Sequence, residues 1–439
     1  MFAPTDKTVG LITDGSPGIQ DGNPLQYACF VQNSKKTVQN FTHIKLHKTD
    51  LCAKMVKVLL CKFILTDKGD IHMEKTITSR LGFGLMRLPL LEGGEIDMPQ
   101  VCKMVDTALE AGVNYFDTAY GYHDGKSETA IREALVKRYD HSKYFLATKL
   151  PFWKMECEED VAKLFNEQLE KTGTDFFDYY LLHCLNKENF EKAKNFKAIE
   201  YCEQMKAEGK IKKFGFSFHD DAETLEKIFK HYDKWEFVQL QLNYYDLDKE
   251  DYQKQLALAN QYNIPVIVME PIRGGFLART VPNGKAAVDA AYGENKLAAL
   301  ALSYVDSLPG VFLTLSGMSN MEQMLDNIET YKAPIPMDDK AKQVISTVLT
   351  EIKNFQAVDC TKCEYCLPCP AGLDIPRLFE VWSNYEVFKS EWNAKEALKK
   401  HTAQPADCIG CRACESKCPQ HIRISEEMAV WAGKIAQFK

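Results

Sequence analysis

From about residue 80 the chain alternates between two kinds of hydrophobic pattern. Short runs rich in β-branched and aromatic residues are each followed by a longer stretch with apolar residues every three or four positions. The short runs are LGFGLMRL from Leu81, NYFDTA from Asn114, KYFLATKL from Lys143, FFDYYLLH from Phe176, KKFGFSF from Lys212, FVQLQLN from Phe237, IPVIVMEP from Ile264 and GVFLTLSG from Gly310. Among the longer stretches, 99–111, 127–138, 222–231 and 296–308 predict helices. In the first of these, Val101, Met104, Val105, Leu109 and Val113 form one apolar stripe that must face a core. Eight strand–helix units over roughly 265 residues predict an α/β fold of the (β/α)8 TIM-barrel type. An open doubly wound sheet would carry a GxGxxG turn after its first strand, and none is present.

The flanks break this rhythm. Residues 1–72 show neither periodicity and are rich in Gly, Asn, Asp, Thr and Lys. Met73 then opens MEKTITSRLGFGLMRLPL, which reads as a start followed by a short hairpin. The expectation is an unpatterned leader, either an extension upstream of the natural start or a poorly ordered segment. After the eighth unit, 338–355 predicts one more helix, and IPRLFEVWSNYEVFKSEWNAKEALKK reads as helical too. The expected division is therefore a leader over 1–72, a barrel over 73–337, and a helix plus a small, mainly helical domain over 338–439.

Composition narrows the function classes. The 439 residues are 45% apolar and 26% charged, with a net charge of −7 and no Lys/Arg-rich block, which argues against a nucleic-acid surface. No apolar run approaches the roughly 20 residues needed to span a bilayer, so no membrane partner is expected. The run from Met55 to Leu65 is broken by Lys57 and Lys62, and Asp6, Lys7 and Asp14 interrupt any signal-peptide pattern. Fifteen cysteines without a secretory signal point to a reducing cytoplasm and metal-bound thiolates rather than disulfides.

Eight of those cysteines lie in two runs near the end. They are Cys360, Cys363, Cys366 and Cys369, followed by Pro370, and Cys408, Cys411, Cys414 and Cys418, followed by Pro419. Structural zinc sites bring two CxxC pairs from separate places. Three cysteines at successive two-residue gaps, then a fourth before proline, resemble instead the spacing of bacterial ferredoxins that hold two 4Fe-4S clusters. In those proteins the fourth cysteine ligates the other cluster. That resemblance implies one set of Cys360, Cys363, Cys366 and Cys418 and another of Cys408, Cys411, Cys414 and Cys369. Only Leu367 and Pro368 separate Cys366 from Cys369, one residue fewer than the bacterial pattern.

In a barrel of this kind catalytic groups stand at the C-terminal ends of strands. Asp117 ends the second run, with Tyr122 five residues later, Lys149 ends the third and His183 the fourth. Alone, each has a bland reading: a solvated edge lysine, a hydrogen-bonded core histidine. Together they suit hydride addition to a carbonyl, which leaves negative charge on oxygen and needs a proton there. A free tyrosine, with a pKa near 10, is a weak donor, and a nearby ammonium would lower that value. A histidine could donate a hydrogen bond to the developing oxyanion.

Over about residues 76–330 the pattern resembles the aldo–keto reductase family. The resemblance implies Tyr122 as proton donor, Lys149 and Asp117 as its tuners, and His183 as the group orienting the carbonyl. Tyr120 is a nearby competitor for the Tyr122 role. The resemblance further implies that Ser217 and Gln239 hold the nicotinamide amide, although Phe218 stands where many relatives carry Asn. It places Gly274 and Gly275 against a pyrophosphate, and Ser319, Gln323, Asp326 and Asn327 at the adenosine end. Backbone N–H groups at a helix start form an anion site, and a helix-capping reading of Ser319 is compatible. Many NADPH-specific relatives carry Arg where this chain has Gln323, so the expected cofactor is NADP(H), with NAD(H) as the alternative.

The whole then reads as a reductase acting on a small carbonyl or alcohol, with a cluster-bearing tail that stabilises the chain or serves an electron-transfer partner protein. The competing reading is a redox-sensing or electron-transfer protein that uses a nucleotide-binding barrel without carbonyl reduction.

Overall fold

In the computed structural model, residues 75–438 are described except 279, 280 and 356, and within 1–74 only short strands are. Val9–Ile12, Leu25–Val31 and Ile44–Leu46 form an antiparallel sheet, and Phe63–Leu65 pairs with Ile71–Met73. The expectation of an unpatterned leader otherwise lies outside the described residues. Residues 1–76 and 77–439 form separate units.

The second unit is built on a closed parallel barrel. Its strands are β1 (Leu81–Gly84), β2 (Tyr115–Asp117), β3 (Phe145–Leu150), β4 (Phe177–Leu185), β5 (Ile211–Phe218), β6 (Val238–Gln241), β7 (Val266–Met269) and β8 (Val311–Ser316). All eight expected runs supply a strand. β8 closes the ring onto β1 through Thr314, Leu315 and Ser316. The hairpin expected around Leu81 is absent among the described residues. β1 is fully buried and pairs in parallel with β8 and β2, leaving only an isolated bridge between Leu90 and Ile96.

Strand alternation divides the core into an inner and an outer layer. Tyr115, Ala147, Tyr179, Leu181, Phe237, Ile267, Leu313 and Leu315 fill the barrel. Their neighbours Phe116, Leu146, Tyr180 and Leu182 face outward against the helices. Gly215 is forced by this packing, because a Cβ there would collide with the backbone of Phe237. The surrounding helices begin where side chains satisfy the free N–H groups. Asp97 caps α1 (Met98–Glu110), whose Pro99 suits the first turn.

The remaining helices of the barrel are α2 (Ser127–Ile131), α3 (Glu159–Thr172), α4 (Lys187–Asn195), α5 (Ala198–Ala207), α6 (Ala222–His231), α7 (Glu250–Gln261), α8 (Pro282–Tyr292), α9 (Leu297–Asp306) and α10 (Met321–Lys332). The expected 127–138 helix divides, with a π-turn at Arg132–Val136 following α2.

Beyond the barrel, α11 (Asp339–Phe355) lays Ala341, Val344, Ile345 and Val348 on a cluster shared with Val281 and Val288 around α8. The tail proper has its own core around α12 (Ile375–Phe388), α13 (Glu391–Leu398) and α14 (Ile424–Ile435), in which Trp382 and Trp431 stack at 5.4 Å. No described helix is long and apolar enough to cross a membrane.

Candidate active site and cluster-binding loops

At the C-terminal end of the barrel, the strand-end residues converge. Lys149 donates to Asp117 Oδ1 at 2.5 Å and to the Thr118 carbonyl at 2.8 Å. Both side chains are buried, at 1% and 2% exposure. The Lys149 ammonium lies 5.1 Å from the centre of the Tyr122 ring, and the Tyr122 and His183 rings meet edge-on at 6.2 Å. Tyr120 points elsewhere: it donates to Glu167 at 2.9 Å, and Lys171 sits over its ring.

The electrostatics differ from the expectation that Lys149 lowers the Tyr122 pKa. Burial, reinforced by Asp117, Cys184 and Glu270, pushes the Tyr122 hydroxyl well up, and Arg87 is the charge that pulls the other way. Burial is the largest effect, and the Asp117 carboxylate paired with Lys149 adds to it. Burial, with Lys149 and His219 nearby, holds His183 well below its ordinary value, so the imidazole is neutral at pH 7.

A cavity of about 1490 Å³ opens here. Asp117, Tyr122 and Trp153 line one part of it, and Gln239, Gly274, Gly275, Ser319, Gln323, Asp326 and Asn327 line another. Gln239 fits an amide ligand: it is 3% exposed, and its Oε1 is buried without a partner. Ser217 is off the cavity wall, where its hydroxyl oxygen accepts from the Cys184 N–H at 2.8 Å. Gly274 and Gly275 have φ of 63° and 83°. Gly275 has open space at its Cα, as a pyrophosphate contact requires, but Gly274 packs on the tail, and a Cβ there would strike the Thr361 carbonyl.

The cap of α10 is Asn320, which accepts from Gln323 N at 2.9 Å, rather than Ser319. Ser319 N instead donates to Gln323 Oε1. Asn327 donates to Ser316 at 2.9 Å, and Asp326 faces Lys296 at 3.7 Å.

The cysteine runs lie in loops that lead into helices, and the described cysteines form no disulfide. The two loops share a backbone path. Lys362 and Gly410, each two residues after the first cysteine, have positive φ, as do Glu364 and Arg412, each directly after the second. Such turns aim successive N–H groups at one centre. Cys360, Cys363, Cys366 and Cys418 surround a small cavity walled by Ile375, Pro376, Phe379, Ile422 and Ile424. Cys414 has Cys369 and Cys408 as electrostatic neighbours, while Cys411 is exposed.

No group of His, Cys, Asp or Glu among the described residues is tight enough for a single metal ion. A 4Fe-4S cluster needs its thiolates spread around a cube rather than drawn onto one ion, and four cysteines lining one cavity are compatible with that. Burial pushes the Cys366 thiol up to about 12 and Cys363 further. Thiols so buried need a cationic centre to ionise, and backbone N–H groups of Gln420, His421 and Ile422 already point at Cys418.

Several residues of the site went unnoticed in the sequence. Arg87 donates to Glu270 at 3.1 Å and to the carbonyls of Thr361 and Lys362, both at 3.2 Å. Arg273, fully buried, meets Asp246 at 3.0 Å and the Asp359 carbonyl at 3.3 Å. Gln241 and Gln420 exchange side-chain hydrogen bonds. Tyr365 reaches from the first cysteine loop to His183. These contacts seat the tail over the barrel mouth. Little in the sequence singles them out: Arg87 and Arg273 follow β1 and β7, Gln241 ends β6, and Tyr365 and Gln420 stand near cysteines whose spacing says nothing of them.

Comparison with known proteins bears on both parts. The model of the aldo/keto reductase family matches residues 80–344, and that of a 4Fe-4S dicluster domain matches 359–422. An uncharacterised oxidoreductase of Bacillus subtilis (strain 168) is 25% identical over 313 residues, covering 62% of this chain and 94% of the relative. An NADH-specific methylglyoxal reductase of Escherichia coli (strain K12) is 26% identical over 226 residues, 46% of this chain and 66% of the relative. An aldo-keto reductase from Klebsiella pneumoniae, solved in complex with NADPH, superposes with a TM-score of 0.51 at 18% identity, covering 66% of this chain and 95% of that one.

Proposed function

The chain belongs to the aldo/keto reductase family, and from that premise we propose that it carries out reversible hydride transfer between NADP(H) or NAD(H) and a small carbonyl or alcohol. Bound nicotinamide supplies the hydride to the carbonyl carbon, or takes it from the alcohol. The observation that carries the reading is the buried Lys149–Asp117 pair beneath Tyr122 on the wall of the cavity that also holds Gln239.

In this reading Tyr122 passes its proton to the carbonyl oxygen as the alcohol forms, and recovers one from solvent through the open cavity. Tyr122 is protonated at neutral pH, and because burial raises its pKa and weakens it as an acid, donation depends on Lys149 and on the charge that develops on the carbonyl oxygen. Lys149 steadies the phenolate left behind, and Asp117 holds Lys149 in place. Neutral His183 offers one N–H to the carbonyl oxygen. Gln239 would hold the nicotinamide amide, and Gln323, Asp326 and Asn327 the adenosine end. Cys360, Cys363, Cys366 and Cys418 would bind one 4Fe-4S cluster and Cys369, Cys408, Cys411 and Cys414 the other, each supplying one-electron capacity when assembled.

Methylglyoxal heads the substrate panel because a similar protein is named for it, and both nicotinamides belong in the assay. Tyr122→Phe in the holoprotein is expected to lower kcat by about 10²–10⁴-fold with cofactor affinity retained in fluorescence titration. Turnover within a few-fold of the parent would exclude this role.

The electron-transfer reading is favoured by one observation: Cys363 and Cys418 line the same cavity as Gln239. Hydride moves two electrons and each cluster accepts one, so it predicts that NADPH bleaches the cluster absorbance under anaerobic conditions once a free flavin or flavoprotein is added to split the pair. Unchanged absorbance would leave the clusters as structural elements or as centres fed by a partner protein.

A further inference from the structure

Tyr365 lies between Cys363 and Cys366 in the first cysteine run, yet its side chain belongs to the barrel's site. Its hydroxyl is 3.2 Å from His183 Nε2, and its ring meets the imidazole edge-on at 6.2 Å. Among the described residues this is the imidazole's one hydrogen bond, since Nδ1 has no partner. His183 is 2% exposed. Tyr122 and Trp153 pack on its other sides, the latter at 5.0 Å. Tyr122, Trp153 and Tyr365 line the cavity, and His183 does not. A carbonyl in the cavity therefore meets Tyr365 before it meets His183.

We propose that Tyr365 is a substrate-site residue supplied by the cluster-binding loop: its hydroxyl holds the hydrogen-bonding place on His183 Nε2 that the carbonyl oxygen takes, so carbonyl binding displaces it. The inference rests on carbonyl reduction at Tyr122. The loop upstream is clamped to the barrel, by Arg87 on the Thr361 and Lys362 carbonyls and by the close approach of Thr361 to Gly274. Displacement is thus confined to the turn closed by Leu367 N on the Glu364 carbonyl at 2.9 Å. That turn contains Cys366 and directly follows Cys363, so a cluster held by these two would feel the substrate arrive. Compact aldehydes, which replace a phenol hydroxyl without needing the ring's space, are the substrate class this arrangement selects.

The test uses the holoprotein with both clusters assembled. The dissociation constant of methylglyoxal in the dead-end complex with NADP+ is read by quenching of tryptophan fluorescence. Tyr365→Phe keeps the ring and removes the competing hydrogen bond, so methylglyoxal should bind about twofold to tenfold tighter. In the photochemically reduced parent protein, methylglyoxal should alter the electron paramagnetic resonance signal of the cluster, and Tyr365→Phe should blunt that response. Unchanged or weaker binding in the variant, or a fall in kcat alone, would make Tyr365 a structural prop and overturn the proposal. So would a resonance signal indifferent to methylglyoxal in the parent, a measurement that needs no variant. If Tyr122→Phe keeps its turnover, the reductase reading fails separately, and the resonance experiment still reports whether the aldehyde reaches Tyr365.

Discussion

A buried ammonium against a buried carboxylate is costly to assemble and costlier to break, because removing one partner strands the other's charge. Lys149→Met should therefore destabilise the protein by about 3–5 kcal/mol in urea denaturation as well as suppress turnover. Adding Asp117→Leu should restore much of that stability without restoring activity, which separates the fold's use of the pair from the chemistry's. Glu386 offers a pH test. Burial alone would raise its carboxyl, but hydrogen bonds from Lys389, Lys434 and Trp382 outweigh this and hold it at about 2. The folded pKa lies below the unfolded one, so this stabilisation is present above about pH 4.5 and is lost as pH falls toward 2. Glu386→Gln should flatten the pH dependence of tail unfolding over that window, followed by the fluorescence of the stacked Trp382 and Trp431. Asp117, Tyr122, Lys149 and His183 could be picked out as candidates because each falls within a few residues of the end of a strand whose pattern is local. Tyr365 was not legible. Its partner His183 is distant in sequence, and the motif around it specifies only where the cysteines stand.

Elements follow local rules wherever the chain can satisfy them locally. The helical stretch between the cysteine runs was readable from its periodicity, but its break was not. Lys389 takes a left-handed conformation with φ of 48°, and Ser390 caps the next helix by accepting from Asn393 N, so one expected helix becomes α12 and α13. The start of α10 follows the same logic, since Asn320 is better placed than Ser319 to meet the N–H of Gln323. Gly274 carries a constraint that the motif does not announce: it stands on the cavity wall as expected of a cofactor contact, and an added Cβ would also strike the tail's own backbone. Gly274→Ala adds a Cβ at positive φ against a carbonyl that cannot swing aside. The expected result is a loss of about 1–3 kcal/mol, with earlier proteolytic release of the tail than in the parent.

At the scale of the whole molecule, barrel and tail share one cavity, and the two cysteine sets differ in depth. Both expected sets reach the cavity, one through Cys363 and Cys418 and the other through Cys369, but the second includes the exposed Cys411. Cys411→Ser should reduce bound iron by about half, four irons going with one cluster, and leave the response of the remaining signal to methylglyoxal intact. Cys363→Ser should abolish that response. The barrel was readable because its repeat is periodic. The docking of the tail was not, since it depends on single long-range contacts. Among them is Arg273, sealed from water between Asp246 of the barrel side and Asp359 of the tail. Were the tail to come away, Arg273 would still hold Asp246, and Arg273 is one of several partners that Asp359 meets, so what the tail adds at this point is less charge balance than the exclusion of water from a guanidinium already balanced.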